Sequence, residues 1–195
     1  MIREIKEDLN ERYKDHKHRL NHVLGVAQTA MNLGEREGLD PEKLLIAALL
    51  HDITKYEDIE FHKEKIMKFF PNSKEIIHEY SENLWHTFSA YAYAIEKYKV
   101  KDTDILEAIL YHAVGAPAMN PYAELIFLSD YIEPHRKYAS SIKVRKIAED
   151  SIQQAIYEAM NDTITYHQEE RETIPEIALE ARDYYHQKLE ELWKN

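Results

Sequence analysis

Seven apolar residues in a row, Leu44-Leu45-Ile46-Ala47-Ala48-Leu49-Leu50, run directly into His51 and Asp52, and Ile53 then resumes the apolar pattern. Such a run belongs in an interior. An ionised carboxylate there is costly unless something positive neutralises it. The chain must therefore fold so that a cation or a set of donors reaches Asp52. Every other polar residue on an apolar stripe becomes a candidate for the same place.

The rest of the pattern is helical. His22, Val26, Ala30 and Leu33 share one face of a helix that should end between Gly34 and Gly38. Asp40-Pro41 reads as an N-cap followed by proline at the first helical position, opening a helix from about Pro41 to Ile53 that is apolar nearly all round and hence central. Residues 58–70 predict a short amphipathic helix stopped by Pro71, and Lys74 to Tyr80 another. A longer helix from near Leu84 carries His86, Ala90 and Ala94 on one face. Caps at Asp102 and Asp104 start one that aligns Ile105, Ile109 and His112. After the loop from Gly115 to Pro121, Tyr122, Ile126 and Asp130 share a face, and Pro134 closes that element. Two long amphipathic helices, near Val144 to Gln168 and Pro175 to Trp193, complete the chain. Four glycines and six prolines suit this better than a sandwich or barrel, whose turns consume glycine. Strand alternation is convincing nowhere. The expected fold is an all-α bundle forming one domain over residues 1–195.

Composition narrows the function. No apolar run approaches the roughly 20 residues that cross a membrane. The N-terminal stretch lacks the apolar centre of a secretory signal. With no cysteine there is neither disulfide nor thiolate metal site, so a cytoplasmic setting is expected. A net charge of −11 argues against a nucleic-acid polymer as partner, because lysine and arginine must replace counterions along its phosphates. A small anionic substrate remains open, since a metal ion could supply its local positive charge.

Several helices repeat the oddity of the opening run. His22, His51-Asp52, His86, His112 and Asp130 each lie on or beside an apolar stripe. Singly, each has an ordinary structural explanation. Together, four imidazoles and two carboxylates on five helices sharing one core have the ligand chemistry of a divalent metal site. A metal also answers the burial cost of Asp52 and Asp130. No H-E-x-x-H, phosphate loop, G-x-S-x-G elbow or cysteine nucleophile offers another scheme.

The order His22, His51-Asp52, Asp130 resembles the HD superfamily of metal-dependent phosphohydrolases. The blocks HRLNHVLGV (18–26), ALLHDITK (48–55), SENLWH (81–86), YHAVGAPAM (111–119) and LSDYIEPHRKY (128–138) are similar to its YqeK-type family of symmetrical bis(5′-nucleosyl)-tetraphosphatases. The resemblance implies an HD-type bundle with a central metal site and an iron ion held by His22, His51, Asp52 and Asp130; manganese, cobalt or another divalent ion is the alternative. It places His86 and His112 at the reacting phosphates, either on a second ion or in direct phosphate contact. The second is preferred because one ion needs only the first four ligands plus water and a substrate oxygen.

The implied reaction splits a dinucleoside tetraphosphate into two nucleoside diphosphates. Asp52 would orient water besides ligating metal, and His86 or His112 would protonate or stabilise the leaving oxygen. His18 and Arg19 on the His22 face, Lys55 three residues after Asp52, and Arg136 are the expected phosphate contacts. The segment Thr173 to Pro175 is a candidate border of a nucleoside. Tyr122, Tyr131 and Tyr138 are candidate stacking residues, and Tyr184-Tyr185 a candidate homodimer surface. Four positions depart from the family pattern in three places: Thr87-Phe88 replaces an alanine-proline pair, Ala116 an arginine, and Leu125 a lysine. They keep two alternatives in view, an HD phosphohydrolase acting on another nucleotide and a noncatalytic metal-containing nucleotide sensor.

Overall fold

The computed structural model describes residues 1–194, and among them every regular element is helical. α1 (Ile2–Arg12) leads into α2 (Lys17–Glu37), which Gly38 ends in the left-handed region at φ 68°. That conformation costs glycine nothing, and it turns the chain sharply into α3 (Pro41–Leu50). There the Asp40 carboxylate accepts the Glu42 N–H as an N-cap. α4 (Ile59–Phe69), α5 (Ser73–Glu79) and a 3-10 turn (Glu82–Leu84) follow, then α6 (Trp85–Tyr98) and α7 (Thr103–Tyr111). α8 (Pro121–Ile132), α9 (Ala139–Asp150), α10 (Ile152–Glu169) and α11 (Glu176–Trp193) complete the described chain.

α3 is the central element the apolar run demands. It packs against α2, α7, α8 and α1, and Leu44, Leu49 and Leu50 are wholly buried. Burying each such side chain contributes about 1.5–3 kcal/mol. Val23 and Val26 of α2, Ile109 of α7, and Ile126 and Leu128 of α8 belong to the same core. A smaller satellite core of Ile66, Ile76, Trp85 and Phe88 fastens α4 and α5 to α6. This framework gathers parts of five helices around one point, because His51 and His112 cap the C-termini of α3 and α7, Asp130 is in the last turn of α8, His86 in the first turn of α6 and His22 in the second turn of α2.

Two boundaries correct the sequence reading. α3 stops at Leu50 rather than Ile53. The helix expected over 144–168 is two helices broken at Ser151, whose backbone is extended (φ −147°, ψ 111°) and whose hydroxyl caps α10 by accepting the Gln154 N–H. No helix among the described residues is long and apolar enough to cross a membrane.

Candidate active site

The turn after α3 carries the centre of the site. His51 N–H still bonds Ala47 carbonyl at 2.9 Å, after which i→i+3 bonds take over, from Ile53 to Leu50 (3.1 Å), Lys55 to Asp52 (2.7 Å) and Glu57 to Thr54 (3.0 Å). Three residues per turn eclipse positions i and i+3, so Lys55 stands over Asp52 through tighter winding and not through a continued α-helix. The turn is braced from two sides. The buried Tyr13 hydroxyl donates to the Asp52 carbonyl. Thr54 Oγ1 donates to the His86 carbonyl at 3.1 Å and lies 2.7 Å from Ser89 Oγ, which is 2.8 Å from His62 Nδ1.

The four expected imidazoles share one arrangement. Nδ1 of His51, His86 and His112 faces the carbonyl of Ala48 (2.6 Å), Asn83 (2.7 Å) and Ile109 (2.7 Å), respectively. A carbonyl only accepts, so each Nδ1 carries the proton and each Nε2 presents a lone pair. Nδ1 of His22 faces the Glu133 carboxylate at 3.1 Å, with the same consequence. All four rings are buried, His51 completely.

These lone pairs converge on carboxylates that also offer only lone pairs. Asp52 Oδ2 lies 3.4 Å from His51 Nε2 and 3.7 Å from His22 Nε2, while its Oδ1 lies 3.2 Å from His86 Nε2 and 3.7 Å from His112 Nε2. Asp130 Oδ1 is 2.9 Å from His22 Nε2, and the Nε2 atoms of His86 and His112 are 3.2 Å apart. Yet the Nε2 atoms of His22 and His51 are buried and hydrogen-bonded to nothing. Imidazole lone pairs crowded against carboxylates are what a cation resolves. Two groups meet the spacing for one: His22, His51 and Asp130, and His51, Asp52 and His112, with ligand atoms within 4.8 Å of one another in each. Three helices also turn their negative C-terminal ends on this point, which favours positive charge there.

The surrounding charges complete the picture. Arg19 Nη1 donates to Asp52 Oδ2 at 2.7 Å, and Arg136 Nη2 to Asp130 Oδ1 at 2.9 Å. Burial pushes the Asp130 carboxyl up, but the Arg136 guanidinium beside it holds it well below the usual range. Burial, with the nearby Lys55 and His112, brings His86 down to about 3, so its ring is neutral. Burial also lowers the Lys55 amine, which sits 3.2 Å from His86 Nδ1 and 3.3 Å from its Nε2. Arg19 Nε is buried without an acceptor, a donor left over for an incoming oxyanion.

The structure thus brings together His22, His51, Asp52, His86, His112, Asp130, Arg19, Lys55 and Arg136. His18 is peripheral: it is exposed, 3.0 Å from the Tyr56 hydroxyl, on the rim of an open cavity of about 530 Å³ shared with Arg19, His22 and Arg136. Glu133 was not among the expected residues. It braces His22, and Gly25, one turn along α2, makes room for it, since a Cβ there would meet Glu133 Oε2 at 2.5 Å. An acidic residue three positions after Asp130 was the available signal, as i and i+3 share a helix face.

Other expectations land elsewhere. Tyr185 is buried and donates to Glu124 Oε1 at 2.7 Å, so it serves the core and not a dimer surface; Tyr184 next to it is exposed. Tyr122 accepts the Asp40 N–H at 3.1 Å and supports the α2–α3 turn, whereas Tyr131 and Tyr138 line a cavity beside Arg136. Thr173 and Pro175 border a small apolar cavity with Asn83 and Val114. The three departures are absorbed by packing: Thr87 Oγ1 donates to the Leu84 carbonyl, Phe88 joins the satellite core, and Ala116 and Leu125 are buried in the main one.

Comparison with known proteins agrees with this geometry. Residues 19–135 match the HD domain family. The chain is 35% identical over 165 residues to a symmetrical bis(5′-nucleosyl)-tetraphosphatase of Bacillus subtilis, covering 83% of each chain. It is 35% identical to a protein of the same name from Halalkalibacterium halodurans, covering 76% of this chain and 79% of that one. A crystal structure of a predicted HD superfamily hydrolase involved in NAD metabolism from Clostridium acetobutylicum superposes with a TM-score of 0.89 at 28% identity, over 96% of this chain and 98% of that one.

Proposed function

We infer the function from one premise: the chain belongs to the HD-domain family and, within it, to the symmetrical bis(5′-nucleosyl)-tetraphosphatases. It is a hydrolase that cleaves dinucleoside tetraphosphates, diadenosine tetraphosphate among them, into two nucleoside diphosphates. The observation that carries this reading is the set of buried Nε2 lone pairs of His22 and His51 facing Asp52 and Asp130 with no donor between them.

His22, His51, Asp52 and Asp130 are the ligands of a divalent ion, with iron the proposed metal. Bound there, a divalent metal acidifies water and polarises a phosphoryl oxygen. Phosphoryl transfer otherwise asks for positioning and charge neutralisation. Arg19 offers its unused Nε to a phosphate oxygen, Arg136 and Lys55 flank it, and Asp52 orients the attacking water. Hydrolysis adds that water to one central phosphorus and releases the other nucleoside diphosphate. His86 is neutral, and its ring proton is engaged by Asn83. It has none to give a leaving oxygen, so acid catalysis by His86 gives way to lone-pair donation.

That same observation favours two ions over one. His86 and His112 point lone pairs at each other and at Asp52 Oδ1, while Asp52 Oδ2 faces His22 and His51, so His86 and His112 with Asp52 would hold a second ion. A chain free of cysteine that handles nucleotides fits a cytoplasmic setting.

Protein purified anaerobically, with its metal counted and then supplied as iron, manganese or cobalt, is incubated with diadenosine tetraphosphate. ADP as sole product supports the function; AMP with ATP, or no turnover with the metal bound, refutes it. Two equivalents of metal per chain support the paired site, and one returns His86 and His112 to direct phosphate contact.

A further inference from the structure

The turn between α8 and α9 carries two side chains that reach the metal ligands, and no regular element spans it. Glu133 sends its carboxylate to His22 Nδ1, and Arg136 sends its guanidinium to Asp130. The turn closes with a backbone bond of its own, from the Arg136 N–H to the Glu133 carbonyl at 3.0 Å. Pro134, His135 and the residues from Lys137 to Ala139 are exposed, so little packing holds it.

The support comes from α9. Arg145 Nε donates to the Ile132 carbonyl at 2.6 Å, and its Nη2 to the carbonyls of Glu133 (2.8 Å) and Arg136 (3.1 Å). A helix leaves its last carbonyls without helical partners, and a cation there also meets the negative end of the helix dipole. A planar guanidinium presents its N–H groups as a fixed fork, so one side chain can pin three carbonyls at once. All three bonds go to backbone. Arg145 thus reaches the site only through the turn, and its side chain borders a separate groove of about 230 Å³ with Ile132 and Pro134.

Arg36 provides the contrast. It reaches α9 from α2 and donates to the carbonyls of Ala148 (3.0 Å) and Glu149 (3.1 Å), at the opposite end of α9 from the turn. Loosening α9 there leaves the turn clasped.

We propose that Arg145 is a positioning residue of the metal centre: by clasping the carbonyls of Ile132, Glu133 and Arg136, it holds the Glu133 carboxylate on His22 and the Arg136 guanidinium on Asp130. The assignment rests on the metal ligands inferred above.

The test is metal affinity, measured by competition with a chelating dye on protein shown by its melting transition to be folded. Arg145→Met should lower it about tenfold, the low end for residues that support ligands. Arg145→Lys should fall between, since an ammonium keeps the charge but loses the fork, and it carries the test if Arg145→Met does not fold. Arg36→Met should lower the melting temperature and leave the affinity unchanged. Arg145→Met combined with Glu133→Gln should lose little beyond what Glu133→Gln loses alone, because both act through one contact. With metal saturating, KM for diadenosine tetraphosphate should rise by more than kcat falls, since Arg136 is displaced from the phosphates. Affinity unmoved by the Arg145 variants, an equal loss in Arg36→Met, or fully additive losses with Glu133→Gln would each overturn the clasp. Turnover is read separately. Unchanged affinity with full turnover removes the clasp and leaves the function. Affinity that depends on Arg145, in a protein that cleaves no diadenosine tetraphosphate, removes the function and leaves the clasp.

Discussion

The molecule holds two clusters of charged and polar side chains, one half-buried and one buried, and they are built on opposite rules. Between α1 and α6, Asp8 accepts from the hydroxyls of Tyr93 (2.8 Å) and Tyr98 (2.6 Å), from Lys97 (2.8 Å) and from Arg12 (3.1 Å). Arg12 in turn reaches Glu57 and the Tyr93 hydroxyl. Donors there meet acceptors, and the cluster is closed. At the end of α3, His22, His51, His86 and His112 instead turn lone pairs on two carboxylates, and buried nitrogens go without partners. A closed network stabilises a fold, whereas an open one loses stability to make a place for something else. Charge alone does not separate the two; the count of donors against acceptors does.

The sharpest way to break this comparison is to remove one central acid from each cluster. Asp52→Ala should cut turnover by more than about a hundredfold, beyond the loss typical of residues that only support ligands. In the metal-free protein the same change relieves crowded acceptors but strands Arg19 Nη1, so the melting temperature should fall far less than in Asp8→Ala. Elemental analysis, turnover and calorimetry on one preparation read all three. A metal-free variant that melts well below the wild type would show the open cluster to be structural after all.

Asp8→Ala should do the reverse. It strands four donors and should lower stability by about 2 kcal/mol or more, while turnover per folded molecule holds. Burial pushes the Asp8 carboxyl up, but Lys97, Tyr98 and Tyr93 more than offset this and hold it at about 2, against an ordinary 3.8. A lowered folded-state pKa gives stability that is complete above the ordinary value and drains away as pH falls toward the lowered one. Wild-type protein should therefore lose stability between about pH 4 and pH 2 more steeply than Asp8→Ala does. Parallel acid titrations of the two would assign that segment to another carboxylate.

Much of the open cluster was legible in the sequence because its members interrupt apolar stripes. His51-Asp52 after seven apolar residues and His112 in register with Ile105 and Ile109 are incongruous wherever the helices pack. The closed cluster was illegible, since Asp8, Arg12 and Lys97 look like the solvated faces of ordinary amphipathic helices. The bracing residues fall between. Glu133 follows Asp130 by three, and Ser151 with Gln154 is a capping-box pair that marks the start of α10 inside what reads as one long helix. Lys55 approaches His86 through the i→i+3 turns of 51–57 and not through a continued helix, and nothing in a list of apolar positions announces where an α-helix gives way to turns.

Glu133 sharpens the comparison, because it belongs to the open cluster yet acts through another residue. It fixes the proton on His22 Nδ1 and so keeps Nε2 free. Glu133→Gln preserves an accepting oxygen but removes the charge. Metal affinity, measured by competition with a chelating dye, should fall about tenfold, the low end for a residue that supports a ligand. The remaining His51, Asp52 and Asp130 should still bind. A loss as large as that of Asp52→Ala would mean that Glu133 itself ligates.

The smallest effect tests whether the two clusters communicate. Tyr13 follows Arg12 at the end of α1, and its buried hydroxyl donates to the Asp52 carbonyl. It is the covalent neighbour of one cluster and the hydrogen-bond partner of the other. Tyr13→Phe removes a single hydroxyl, and the Asp52 carbonyl keeps the Lys55 N–H at 2.7 Å, so the stability cost should be about 1 kcal/mol. If Tyr13 only packs, turnover should be unchanged. If it sets where the carboxylate of Asp52 sits, turnover should fall several-fold with metal content intact, because a small displacement of a positioned group is amplified in the rate. Combining Tyr13→Phe with Asp8→Ala separates the cases. Independent clusters give additive losses of stability, whereas a strut through α1 makes the second loss smaller than the first. We expect the coupled result, since the Arg12 contact to Glu57 and the Tyr13 contact to Asp52 grip the same short turn from the same end of α1.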